Sequence, residues 1–128
     1  LELMKELQQK NDISIIYITH DLATARYFGK RIAILYLGKI VEMGEINDIL
    51  LHPKHPYTQA LIDAISEPDP DNLHKEKTIR INEPLDIDVY QGCRFLARCP
   101  YAIEKCKEEP PLEKSDDGRV VACFVKLD

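Results

Sequence analysis

Two short apolar runs, ISIIYIT at 13–19 and RIAILYL at 31–37, constrain the fold of this chain more than any other feature. The first is β-branched and almost wholly apolar, with no polar alternation. That pattern predicts strands covered on both faces, as in a parallel sheet, rather than strands with one face in water. Strands of that kind need sheet neighbours and covering helices. Residues 1–66 supply only some of these, so chain upstream of Leu1 is expected to supply the rest. Leu1 itself falls inside a helical pattern, with no initiator methionine and no capping residue before it. The chain therefore reads as the C-terminal piece of a longer protein.

Helical spacing sets Leu3, Met4 and Leu7 on one side of residues 1–10, and Asn11-Asp12 breaks the pattern. After the first strand His20-Asp21 interrupts the apolar run, a helix is predicted over 22–28, and Gly29 ends it. The second strand turns at Gly38-Lys39 and returns as a short strand over 40–43, in a hairpin that Gly44 closes. A short helix follows over 45–51, ended by His52-Pro53. Pro56 starts another, whose apolar residues are Tyr57, Ala60, Leu61, Ala64 and Ile65. The texture then changes. EPDPDNLHKEKT at 67–78 reads as a linker, followed by a strand candidate over 78–81 and a segment with few apolar residues for its length. The expected fold class is α/β, with a partial core at 1–66, a linker at 67–84 and a small, mostly irregular cysteine-rich extension at 85–128.

Composition narrows the function classes. A net charge of −5 gives no support to nucleic-acid binding, which needs a basic surface to neutralise phosphates. No apolar run approaches the roughly 20 residues that span a bilayer, and no secretory signal is present. A soluble, cytosolic chain is expected, where thiols stay reduced and clustered cysteines usually hold metal. All four cysteines, Cys93, Cys99, Cys106 and Cys123, fall in the last third of the chain. Their spacings, C-x5-C, C-x6-C and C-x16-C, match neither a zinc-ribbon knuckle nor a ferredoxin run. Four thiolates nonetheless satisfy either Zn²⁺ or a [4Fe–4S] cluster, and spacing alone leaves both open beside disulfides or free thiols. Gly92, Pro100 and Pro110-Pro111 suit loops gathered on a common centre.

His20 stands directly after one predicted buried strand and before a helix. Ligands of open α/β sheets bind at the carboxyl ends of strands, so a polar residue there is a candidate, although on strand context alone a lone histidine is more often a helix cap or loop filler. The wider string changes the balance. SIIYITHDLATA, LGKIVEMG, HPKHPYTQAL and GCRFLARCP together resemble the ATP-hydrolysing subunits of ABC transporters, within the oligopeptide/dipeptide branch. The resemblance implies that THDL is the family's switch motif, with His20 contacting the γ-phosphate of ATP held with Mg²⁺ across an ATPase dimer. It further implies a second ATPase subunit, two membrane permease subunits, an external substrate-binding protein and a place on the cytoplasmic face of the membrane. The cargo stays open, since related systems also carry sugars or nickel. No G-x-x-x-x-G-K-[ST] loop occurs in this sequence, and the family's signature motif and acidic Mg²⁺-binding pair are missing too, so these residues alone are not expected to hydrolyse ATP.

For the cysteines, the resemblance implies an iron–sulfur cluster on Cys93, Cys99, Cys106 and Cys123, with zinc as runner-up. Its expected role is to pin the extension in place of a substantial apolar core. His52, His55 and His74 are read as exposed or capping, Tyr57 as packing, and the mixed charges from Glu104 to Asp117 as a solvated surface. The rival reading is a stand-alone iron–sulfur or zinc interaction module over 67–128. Unpartnered apolar strands at 13–37 also predict that the chain self-associates.

Overall fold

The computed structural model describes residues 2–65, 91–125 and 127. Its centre is a hairpin. Strand β1 (Arg31–Tyr36) pairs antiparallel with β2 (Lys39–Glu45), and the turn between them is centred on Leu37 and Gly38, one residue earlier than the spacing predicts. Both centre residues have positive φ, 45° and 78°, the condition for a two-residue turn whose twist matches that of the strands. Glycine adopts this freely at 38, while Leu37 holds it as the less common non-glycine case. A register shift between Ile34 and Leu35 lets Val41 bulge from the ladder.

Among the described residues there are four α-helices, α1 (Glu2–Asn11), α2 (Leu22–Phe28), α3 (Ile46–Leu51) and α4 (Pro56–Ala64), of which α3 and α4 pack on the hairpin. All fall close to where the patterning puts them. Asp21 caps α2 by accepting the Ala23 amide at 3.0 Å and the Thr24 hydroxyl. Pro56 opens α4 behind the N-cap His55. Gly29 ends α2 without a left-handed turn. Its value is closeness instead, since a Cβ there would lie 3.2 Å from the carbonyl oxygens of Ala25 and Arg31.

Residues 13–19 depart from expectation. They form no strand, because nothing among the described residues offers their amides and carbonyls a ladder. Ile16 and Ile18 are each 92% exposed. The second run does form a strand, but only Ile34 in it is buried, so the predicted double-sided cover is absent as well. The observed sheet is antiparallel throughout. The linker at 67–84 and the strand candidate over 78–81 lie outside the described residues, as does His74.

The cysteine segment contributes more than irregular loop. Besides two 3₁₀ turns, Leu96–Arg98 and Glu104–Lys107, it forms β3 (Glu113–Lys114) and β4 (Val120–Val121). These extend the hairpin into one sheet of order β1-β2-β4-β3, with Glu42 opposite Val121 and Met43 opposite Val120. Two apolar clusters lie under this sheet. Ile34, Val41 and Ile49 make one, while Ala60, Phe95 and Cys99 make the other, and Tyr36 and Tyr57 pack against both. Glutamates 104, 108, 109 and 113 and Asp116 remain at the surface, as the mixed charge predicts.

A charged joint locks β4 to the hairpin. Glu42 is fully buried, and its carboxylate accepts the amides of Lys54 at 2.9 Å and His55 at 3.0 Å. Arg119, 7% exposed, sets its guanidinium 3.9 Å from that carboxylate and donates to the carbonyls of Asp48 and His52 at the end of α3. Asp117 then takes the guanidinium at 2.7 Å and Lys54 at 2.9 Å. Gly44 does not close the hairpin. It lies within β2, where a Cβ would meet Arg119 Cγ at 2.7 Å, so glycine is what lets the arginine cross the strand. Truncation of Glu42 strands the buried His55 amide, the half-buried Lys54 amide and the arginine together. Glu42→Ala is therefore expected to destabilise the chain by about 3 kcal/mol, read as a lowered urea midpoint with an unchanged slope.

Candidate functional site

The four cysteines converge. Each thiol interacts electrostatically with the other three, and none of the four is joined in a disulfide. Local backbone explains the convergence. Gly92 has φ of +76°, and a Cβ on it would lie 2.4 Å from the Lys107 carbonyl oxygen, so only glycine admits the chain there. The Cys93 amide then reaches the Cys106 carbonyl at 2.9 Å and closes the first loop on the third cysteine. Cys123 arrives from the other side, just after β4.

Burial pushes the Cys93 thiol up, and carries Cys99 and Cys123 to about 11. Opposing this, the amides of Phe95 and Leu96 donate to Cys93, that of Tyr101 to Cys99 and that of Val125 to Cys123. Sulfur atoms that accept main-chain amides in a half-buried pocket are suited to thiolates bound to a cationic centre, which reverses the burial penalty by its own charge. Among the described residues, no three His, Cys, Asp or Glu side chains form a group that could hold a metal ion. A single zinc needs sulfurs at about 2.3 Å from one point. The four sulfurs are near one another, but as placed they do not form a metal-holding group.

His20 lies elsewhere. It is exposed, at the end of the extended 13–19 segment and one residue before the cap of α2. Together with Thr19, Leu22, Ile34, Tyr57 and Leu61 it lines a cavity of about 610 Å³ on the apolar side of β1. Its neighbour Asp21 is held below the usual carboxylate range, chiefly by the Thr24 hydroxyl and the Ala23 amide, with a smaller contribution from His20 itself.

Sequence reasoning missed Glu42, Asp117 and Arg119. A glutamate inside the apolar string IVEMG and the Asp-Gly-Arg turn at 117–119 were the available signals. It also placed His55 only half correctly. The imidazole does cap α4, its Nδ1 accepting the Tyr57 amide at 3.0 Å, but it is 1% exposed rather than at the surface. His52 is exposed, as expected.

Comparison with known proteins follows the same two regions. Residues 41–106 match the family described as "Oligopeptide/dipeptide transporter, C-terminal region". A probable peptide ABC transporter ATP-binding protein of Sinorhizobium fredii is 42% identical over 98% of this chain and 36% of its own length. The dipeptide transport ATP-binding protein DppF of Haemophilus influenzae is 39% identical over 97% of the chain and 38% of its own length. The oligopeptide transport ATP-binding protein OppF of Escherichia coli is 38% identical, with coverage of 97% and 38%. The chain thus spans well under half the length of these curated relatives. Among the described residues no helix is long and apolar enough to cross a membrane.

Burial lowers the His55 imidazole to about 4, which gives folding a pH dependence. The unfolded chain takes up this proton near pH 6.5, and the folded chain only near 4. Stability from the neutral ring is therefore full above about pH 6.5 and is lost as pH falls towards 4, by about 3 kcal/mol in all. Urea unfolding at pH 7 and pH 4.5 is expected to show this loss, and His55→Gln to remove most of it.

Proposed function

The chain belongs to the oligopeptide/dipeptide transporter family, and from that we propose that it is the C-terminal part of an ATP-binding subunit of an ABC importer for oligopeptides or dipeptides. One observation carries the reading: 97% or more of the chain aligns with ATP-binding proteins named for peptide, dipeptide and oligopeptide transport. On this reading the subunit works at the cytoplasmic face of the membrane, against a second ATPase subunit and two permease subunits. An external binding protein delivers the cargo. The exposed apolar segment 13–19 and the open edge of β1 then meet the rest of the ATPase core.

His20 is assigned to the γ-phosphate of ATP in the closed dimer. An imidazole N–H directed at a phosphoryl oxygen stabilises charge that grows in the transition state, and a donor fixed beforehand gives most of that benefit. Its position supports the role: the side chain is exposed at the end of an extended segment, and the Asp21 cap fixes the start of the helix that follows. The phosphate cradle and the Mg²⁺ ligands belong to chain outside these residues. His20→Ala in the intact transporter is expected to lower ATP turnover about 100-fold, with nucleotide affinity changed far less. Wild-type turnover in that variant would sink the assignment.

Cys93, Cys99, Cys106 and Cys123 are assigned to one iron–sulfur centre. The family description and the relatives' names mention no metal, and the support is the converging thiols with their main-chain donors. When bound, the centre cross-links four points of a segment that has little apolar core. Zinc is the lesser alternative. The rival of a stand-alone module is weakened by β4, which completes its ladder only on β2. A brown preparation absorbing near about 400 nm is expected, bleached by Cys99→Ser, whereas a colourless protein with one zinc would replace the cluster by that ion. These 128 residues expressed alone are further expected to self-associate through residues 13–37, and a clean monomer by light scattering with that segment ordered would contradict it.

A further inference from the structure

His20 lies between two side chains that hydrogen-bond the local main chain. Before it, the Thr19 hydroxyl accepts the Asp21 amide at 3.0 Å, which closes a turn around the histidine. After it, the Asp21 carboxylate accepts the Ala23 amide at 3.0 Å through one oxygen and the Thr24 hydroxyl through the other. Each carboxylate oxygen is thus engaged with the start of α2, which suits Asp21 to hold backbone rather than to take a proton from a reacting water. The helix it caps is itself fixed. Leu22 packs against the cluster of Ile34, Val41 and Ile49. At the far end of α2 the Phe28 ring lies 5.5 Å from that of Tyr17, in the segment leading to His20. The main chain at residue 20 is anchored from both directions, while the residue itself is exposed and lines the cavity on the apolar side of β1.

We propose that Thr19 and Asp21 are positioning residues for His20, holding its backbone so that the imidazole N–H meets the γ-phosphate without rearrangement. This rests on the assignment of His20 made above and extends it to the residues that aim the side chain. Neither Thr19 nor Asp21 acts on the nucleotide itself; each acts through the main chain of residue 20. A donor fixed in advance needs no reorganisation when charge develops on the phosphoryl oxygens, and a displacement of about 1 Å costs on the order of 10²-fold in rate. Loss of either turn uncouples residue 20 from the packed Leu22, and the effect falls on turnover rather than on nucleotide binding.

The test measures ATP turnover by the intact transporter carrying Asp21→Ala, Asp21→Asn, Thr19→Val or Thr19→Ser, each alone and combined with His20→Ala. Asp21→Ala and Thr19→Val are expected to lower kcat about tenfold, with KM changed by no more than about twofold. Asp21→Asn and Thr19→Ser keep an accepting oxygen in the same place and are expected to stay within about twofold of wild type. Combined with His20→Ala, all four are expected to change kcat by no more than about twofold, because no imidazole is left to aim. Equal losses from Asp21→Asn and Asp21→Ala overturn the proposal, as does the same tenfold loss with His20→Ala as without it. Should Asp21→Ala not fold, the Thr19→Val and Thr19→Ser pair decides by the same comparison. Wild-type turnover in His20→Ala sinks the γ-phosphate assignment and the proposal with it. A slow His20→Ala beside unimpaired Asp21→Ala and Thr19→Val sinks the proposal alone.

Discussion

Residue 42 puts a carboxylate where the interior of a strand would ordinarily carry an apolar side chain, and the carboxylate is fully buried there. A buried carboxylate is tolerable only when its oxygens are filled, and here the sequence on either side fills them. The chain leaves β2, forms α3, and returns so that two successive amides, of Lys54 and His55, point at Glu42. That return fixes the direction in which α4 starts. The cation comes from 77 residues further along, when Arg119 crosses β2 over Gly44. One anion thus sets both the path of the hairpin's exit and the docking position of the cysteine segment.

Burial of charge explains the neighbouring choices as well. Arg119 suits this place because its planar head makes several hydrogen bonds at once, to two carbonyls at the end of α3 and to Asp117, so little of its donor capacity is wasted. Hydrogen bonds from Lys54 and then from Arg119 hold the Asp117 carboxyl well below the usual range, which keeps it charged beside them. The aromatic residues work in the same place by other means. Tyr36, Tyr57 and Phe95 meet edge to face or tilted, with centroids 4.5 to 5.6 Å apart, and join the two apolar clusters that would otherwise be separate.

The elements that depend on local chemistry were legible in the sequence. Proline at 56, aspartate at 21 and the periodic spacing over 1–10 act within a turn or two of helix, and each helix appears where its signals lie. The four thiols were legible as a set because clustering in sequence limits how far apart they can fold. Elements that depend on distant partners were not legible. ISIIYIT has every local mark of a strand, yet a strand exists only with a neighbour to bond, and the described residues give it none. Arg119 and Glu42 were invisible for the converse reason. Each looks like an ordinary polar residue until the sheet order β1-β2-β4-β3 brings them together. His55 fell between the two cases, legible as a cap and not as a buried side chain.

That contrast bears on which regions can act alone. Residues 92–123 have Phe95, Ala97, Cys99, Cys106 and Ala122 as their buried apolar residues, and Phe95 packs against Tyr36, Tyr57 and Ala60 as well as against Cys99 of its own segment. Their two strands are two residues each, too short to stand as a hairpin in water, and β4 gains its second ladder only from β2. A segment built this way borrows its core from the 31–64 region. The borrowing runs in both directions, since the last carbonyls of α3 are taken by Arg119 and the Val41 carbonyl by the Ala122 amide.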